Sequence, residues 1–162
     1  MNVRLHDMTW QSVVNISSAL LTPIIAIIAT YIAWQQWKAN ELKLRLERYE
    51  RRLSIYRDVI RMLSLIMRDA NAEIEDLMTF RANTAEADFL FGPEIPKYID
   101  EIFSRGLKLK TANAQYRHAG QENPPGYDHN RVVEEMDTQL RWLTEQFNPA
   151  KDKFAKYLNV NG

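Results

Sequence analysis

Residues 13–34 form one uncharged, mostly apolar stretch, and it constrains the fold more than any other feature of the chain. At a helical rise of 1.5 Å per residue it covers about 33 Å, enough for a hydrocarbon core of about 30 Å with a modest tilt. Its Val, Ile and Leu side chains, at roughly −0.3 to −0.6 kcal/mol each near a bilayer centre, favour insertion by about 3 to 6 kcal/mol. Asn15, Ser17, Ser18, Thr22, Pro23 and Thr30 offset part of that. Trp10 precedes the stretch, while Tyr31, Trp34 and Trp37 lie at its far end, and amphipathic rings prefer the headgroup level. The pattern predicts a transmembrane helix over 13–34, kinked where Pro23 removes a backbone hydrogen bond. A buried helix of a soluble domain would be shorter and carry a polar face. A cleavable signal peptide would show a basic leader and a small-residue cleavage site, whereas Arg4 is offset by Asp7 and Gln35-Gln36 follows the stretch.

Only Arg4 precedes the stretch, whereas Lys38, Lys43, Arg45, Arg48, Arg51 and Arg52 follow it closely. That asymmetry predicts a single-pass protein with its N-terminus outside and its C-terminal part in the cytoplasm. The expected domains are a short extracytoplasmic N-terminus at 1–12, the span at 13–34, a long juxtamembrane helix at 35–83, and the remaining helices of a bundle at 84–162. The charge is zoned although the net charge is zero: nine Lys/Arg stand against four Asp/Glu over 35–68, and eleven against sixteen from 69 onward. Lys38, Lys43, Arg45 and Arg48 are therefore expected headgroup contacts for an anionic lipid surface. The acidic distal part argues against nucleic acid as a partner.

Apolar residues recur at Leu42, Leu46, Tyr49, Leu53, Tyr56, Ile60, Leu63, Met67, Ala70, Ile74 and Leu77, in alternating steps of four and three. This heptad pattern predicts a helix over 42–78, with Leu42, Leu46, Tyr49, Leu53, Tyr56 and Ile60 as a packing seam. The pattern does not say whether the seam packs within one chain or between chains. Ile55, Val59, Leu65 and Ile66 widen the stripe, so the distal half reads as a bundle helix and the proximal half as a stalk. Glu47 and Arg51 have the spacing of a favourable i,i+4 pair.

Phe89, Leu90 and Phe91 sit in a short connection and are expected to plug the bundle core, an exposed partner patch being the alternative. A further helix is expected from near Pro93 to Arg117, with Ile95, Tyr98, Ile99, Ile102 and Phe103 on one face. Asn123-Pro124-Pro125-Gly126 marks a loop. Another helix is expected over 128–147, with Val132, Val133, Met136, Leu140, Leu143 and Phe147 inward. Asn148 then caps a short helix that begins at Pro149 and carries Phe154, Tyr157 and Leu158. The expected fold class is all-α.

The run Gln35-Gln36-Trp37-Lys38, through Lys43-Leu44-Arg45-Leu46 to Arg52-Leu53-Ser54-Ile55-Tyr56, resembles uncharacterised bacterial single-pass membrane proteins. So does Phe89-Leu90-Phe91-Gly92-Pro93-Glu94-Ile95. Those proteins have a basic juxtamembrane helix and a small helical cytoplasmic domain. The resemblance implies a place in the inner membrane and carries no catalytic residue.

Chemistry-bearing patterns are sparse. The chain has no cysteine, which excludes disulfides, thiolate metal sites and cysteine nucleophiles. His118 and His129 flank the loop, and no Glu-x-x-His or His-x-x-x-His spacing occurs. Asp69, Glu73 and Asp76 share a helical face, but with basic neighbours they read as a solvated surface. No Gly-rich phosphate loop and no nucleophile elbow is present. No catalytic, cofactor-binding or metal-ligating residue is therefore expected, and no cofactor. Within the span, Ser18, Thr22, Ala26, Ala29 and Ala33 form a small-residue ridge suited to helix association.

The expected function is a non-enzymatic, membrane-anchored interaction or regulatory module that self-associates and meets a protein partner. The alternative is a membrane-active effector whose spans oligomerise and permeabilise the bilayer on a cytoplasmic signal. An enzyme with a site near Asp69, Glu73 and His118 is a third reading.

Overall fold

The computed structural model describes residues 3–118 and 120–159, with the side chains of 3–20 and of 22 outside the description. All regular structure among the described residues is helical. In chain order the helices are α1 Val3–Asp69, α2 Ile74–Asn83, α3 Ala87–Leu90, α4 Glu94–Gln115, α5 His129–Thr144 and α6 Phe147–Ala155. The chain divides into two compact units, Met1–Leu46 and Glu47–Gly162.

In the first unit every described residue belongs to α1. Among the described residues, no helix is long and apolar enough to cross a membrane. The expected span at 13–34 lies partly outside the description, since 13–20 and 22 have no described side chains. The described side chains from Pro23 to Trp34 cover about 18 Å of helix, against a hydrocarbon core of about 30 Å. Those of Ile24, Ile25, Ile27, Ile28 and Ile32 are all exposed in the single chain.

The second unit is a helical bundle with one apolar core. Ile55, Val59, Met62, Leu63 and Ile66 of α1 enter it, with Leu77 and Phe80 of α2 and Ile95, Tyr98, Ile99, Ile102 and Leu109 of α4. Leu143 of α5 and Ala150 and Phe154 of α6 complete it. The inward row of α1 is Ile55, Val59, Met62 and Ile66, one residue before each of Tyr56, Ile60, Leu63 and Met67 in the heptad reading. One residue is about 100° of helix rotation, and the stripe here is wide enough to allow either face. Packing in the shared core selects the row of Ile55, Val59, Met62 and Ile66. It leaves Tyr56 and Ile60 half-buried at the flank and Met67 exposed.

The long helix expected over 35–83 is interrupted. α1 ends at Asp69, and Ala70 takes a left-handed conformation with φ 49°. For a residue with a Cβ this costs about 1–2 kcal/mol. Tertiary contacts hold it: Ala72 is buried, and the Asn113 amide of α4 donates to Ala70 O at 3.4 Å and to Asn71 Oδ1 at 2.8 Å. The turn lets α2 fold back so that Leu77 meets α4, where Gly106 leaves room for it. A Cβ on Gly106 would lie 2.6 Å from Leu77 Cδ2.

Four other expectations need correction. Phe89 is 89% exposed and does not plug the core, whereas Phe91 packs edge-on against Phe154 and Tyr157, with centroids 5.2 Å away in each case. α5 stops at Thr144, and its Val133 is exposed. α6 starts after Gln146, whose side chain makes no capping hydrogen bond, so Asn148 and Pro149 lie in its first turn, where a missing N–H removes no intrahelical bond. Arg51 pairs with Glu86 at 3.1 Å and not with Glu47. The other elements follow local signals: Asp128 caps α5 by accepting from Arg131 N at 3.1 Å, and α4 follows Pro93 directly.

Candidate functional site

In the first unit the expected contact residues lie on an unpartnered helix surface. Ala26, Ala29 and Ala33 are exposed, while the side chains of Ser18 and Thr22 lie outside the described residues. Thr30 Oγ1 donates back to Ala26 O at 2.8 Å, which satisfies the hydroxyl and keeps that face apolar. Tyr31, Trp34 and Trp37 are exposed, with Lys38 Nζ 5.6 Å from the Trp34 ring centroid. Such a contact is worth about 0.5–1 kcal/mol at an exposed site. Lys43 is exposed and Arg45 pairs with Glu41 at 2.8 Å. Leu42 and Leu46, the first two seam residues, are 62% and 56% exposed, and Leu44 between them is exposed as well.

In the second unit Arg48 is exposed, Tyr49 and Leu53 are half-buried, and Tyr56 and Ile60 pack on the rim of the core. The seam of six is therefore divided. Tyr56 and Ile60 serve the fold of one chain, whereas Leu42 and Leu46 belong to the first unit and are exposed.

The carboxylates weighed as catalytic groups are engaged separately. Asp69 takes two hydrogen bonds from Arg68 at 2.7 Å each, and this pairing holds its carboxyl below the ordinary value. Glu73 accepts from Lys110 Nζ at 2.5 Å and from Asn71 Nδ2 at 2.6 Å. His118 and His129 do come together, as both rings pack on Tyr116 with centroids 5.1 and 5.5 Å away. His129 Nδ1 also lies 3.0 Å from Tyr127 Oη. No group of three or more metal-ligating side chains forms among the described residues.

Sequence reading missed a polar clamp that ties the C-terminal segment to the bundle. Arg52 Nε donates to Leu90 O at 2.9 Å and Nη1 to Tyr157 O at 3.4 Å, with the guanidinium over the Phe91 and Tyr157 rings. Tyr157 Oη donates to Glu94 Oε1 at 2.6 Å and accepts from Gly92 N at 3.0 Å. Lys156 pairs with the same Glu94 oxygen. Gly92 permits this approach, because a Cβ there would meet Tyr157 Oη at 2.5 Å. Glu94 lies more than sixty residues from Lys156 and Tyr157 in sequence, so no local pattern announces that pairing.

The hydrogen bonds from Lys156 and then Tyr157 pull the Glu94 carboxyl from 4.5 down to about 2. A depressed carboxyl contributes stability above its unfolded value, and loses it as pH falls through the folded one. The clamp is thus expected to hold at neutral pH and to release between about 4.5 and about 2. Thermal melts should show wild type losing stability more steeply than Glu94→Gln across that window. Parallel slopes would remove Glu94 from the acid response.

No protein-family model, no curated protein and no solved structure matches the chain.

Proposed function

We propose that the chain is a membrane-anchored helical module that self-associates and presents its bundle to a protein partner, without an enzymatic activity. The placement we propose is a bacterial inner membrane, with the N-terminus outside and the bundle in the cytoplasm. The observation that carries this reading is the contrast between the two units. The bundle buries its own core, while the first unit leaves isoleucines, aromatics and Leu42, Leu44 and Leu46 uncovered in the single chain. Exposed apolar surface on that scale is costly in water and calls for lipid or a second copy. Lys38, Lys43 and Arg45 stand where an anionic headgroup layer would follow a span at 13–34. The non-enzymatic part rests on the missing catalytic patterns in the sequence.

The test uses residues that the bundle does not need. Leu42→Asp with Leu46→Asp should leave helicity and membrane retention unchanged, and should lower the particle mass in detergent toward that of one chain. An unchanged mass would remove self-association from the proposal. Release of the wild-type chain from membranes by alkaline carbonate would remove the anchor.

A further inference from the structure

Two adjoining clefts lie between α4, α5 and the loop joining them. The larger, about 530 Å³, runs along Lys108, Thr111 and Gln115 of α4 and Arg131 of α5. The smaller, about 300 Å³, is walled by Arg117, Pro124, Pro125 and Tyr127. They share Gln115, Arg131 and Val132, so they form one continuous depression.

Three cations line it: Lys108, Arg117 and Arg131. Lys108, Arg117 and Arg131 take part in none of the ion pairs among the described residues. Arg117 Nε is buried and has no hydrogen-bond partner. A buried, unpaired donor of a charged group is costly, by more than the ~1–3 kcal/mol of a neutral one. Most native structures supply such a group with a partner. Two carboxylates also reach the clefts, and each has an internal task. Asp128 accepts from Arg131 N as the cap of α5, and Glu135 accepts from Gln139 Nε2 at 2.9 Å. Neither answers the side-chain charge of Lys108, Arg117 or Arg131.

The geometry points to a binding site for a small phosphate ester carrying a flat apolar group. Two guanidinium forks and an ammonium match a phosphate, whose several oxygens accept bidentate pairs that one carboxylate could not fill. Tyr127, Pro124 and Pro125 line the smaller cleft beside those charges and supply apolar surface for a ring. The loop is braced for this, with Tyr127 Oη accepting from Arg117 N at 3.1 Å and lying against His129.

Adenosine monophosphate is a suitable probe, with adenosine as the uncharged control. Both are titrated calorimetrically into the full chain in detergent. The nucleotide should bind with a Kd below about 1 mM, and adenosine at least tenfold more weakly. Lys108→Gln with Arg131→Gln should weaken the nucleotide at least tenfold, at unchanged melting temperature, since both side chains are exposed. Lys97→Gln with Lys151→Gln, which removes two other unpaired cations of the bundle, should leave it unchanged. No heat up to about 10 mM nucleotide, equal binding of adenosine, or equal loss in both double variants would overturn the site. Failure here leaves the membrane proposal standing, because no residue is shared between them.

Discussion

Phe154→Ala is expected to destabilise the bundle by about 3–5 kcal/mol, in the range for truncating a fully buried aromatic. Phe154 has no exposed surface, and its ring meets Tyr56 at 5.4 Å and Phe91 at 5.2 Å between centroids. Those rings come from α1 and from the segment after α3, so the residue joins three parts of the chain. Its removal leaves a cavity that Tyr56 can fill only in part, since Tyr56 already packs against the core. Small domains are stable by about 5–15 kcal/mol in total, so the loss would be a large share. Urea unfolding followed by circular dichroism should show a lower midpoint at unchanged slope. A loss below about 1 kcal/mol would mean that α6 docks more loosely than the packing implies.

Gly106→Ala is expected to destabilise, although an exposed helix interior would gain about 1 kcal/mol from the same change. The added methyl would lie 2.6 Å from Leu77 Cδ2 and 3.7 Å from Ala72 Cβ. Leu77 is fully buried and Ala72 nearly so, which leaves the leucine little room to turn aside. Overpacking of this kind costs about 1–3 kcal/mol, and Gly106→Val should reach the upper end. Leu77→Ala in the same chain should recover much of the Gly106→Ala loss, because the two changes compete for one space. Strict additivity in that cycle would show that the approach of α2 to α4 is set elsewhere.

The parts of this molecule legible in the sequence are those with local causes. α4 follows Pro93 and carries Ile95, Tyr98, Ile99 and Ile102 inward at helical spacing, as the periodicity indicates. A helix start is expected at about Asp128, and α5 begins at His129 with Asp128 as its cap. The loop around Asn123-Pro124-Pro125-Gly126 separates α4 from α5. From Ile55, thirteen residues after the heptad run starts at Leu42, the local evidence becomes ambiguous. Ile55, Val59, Leu65 and Ile66 beside Tyr56, Ile60 and Leu63 make a stripe that two rotations of α1 would satisfy.

The candidate sites were less legible. Glu94, Lys156 and Arg52 are ordinary surface charges in sequence, and only folding brings them to one C-terminal clamp. Lys108, Arg117 and Arg131 likewise sit among many basic residues, and their shared cleft exists only once α4 and α5 are side by side. In the first unit the leucines and aromatics are legible from their positions in the sequence, and their exposure in the single chain comes from the structure.

The amino-acid order by itself determined that this chain is helical, where α4 and α5 begin, and that one apolar stretch is followed by a basic segment. Those properties depend on backbone propensity, capping and hydropathy within a few residues. Only the tertiary structure decided which face of α1 turns inward, that the helix ends at Asp69 with Ala70 left-handed, and which cations are left without partners. Each of those outcomes is a choice between local arrangements of similar energy. Contacts from distant helices, worth a few kcal/mol, settle it.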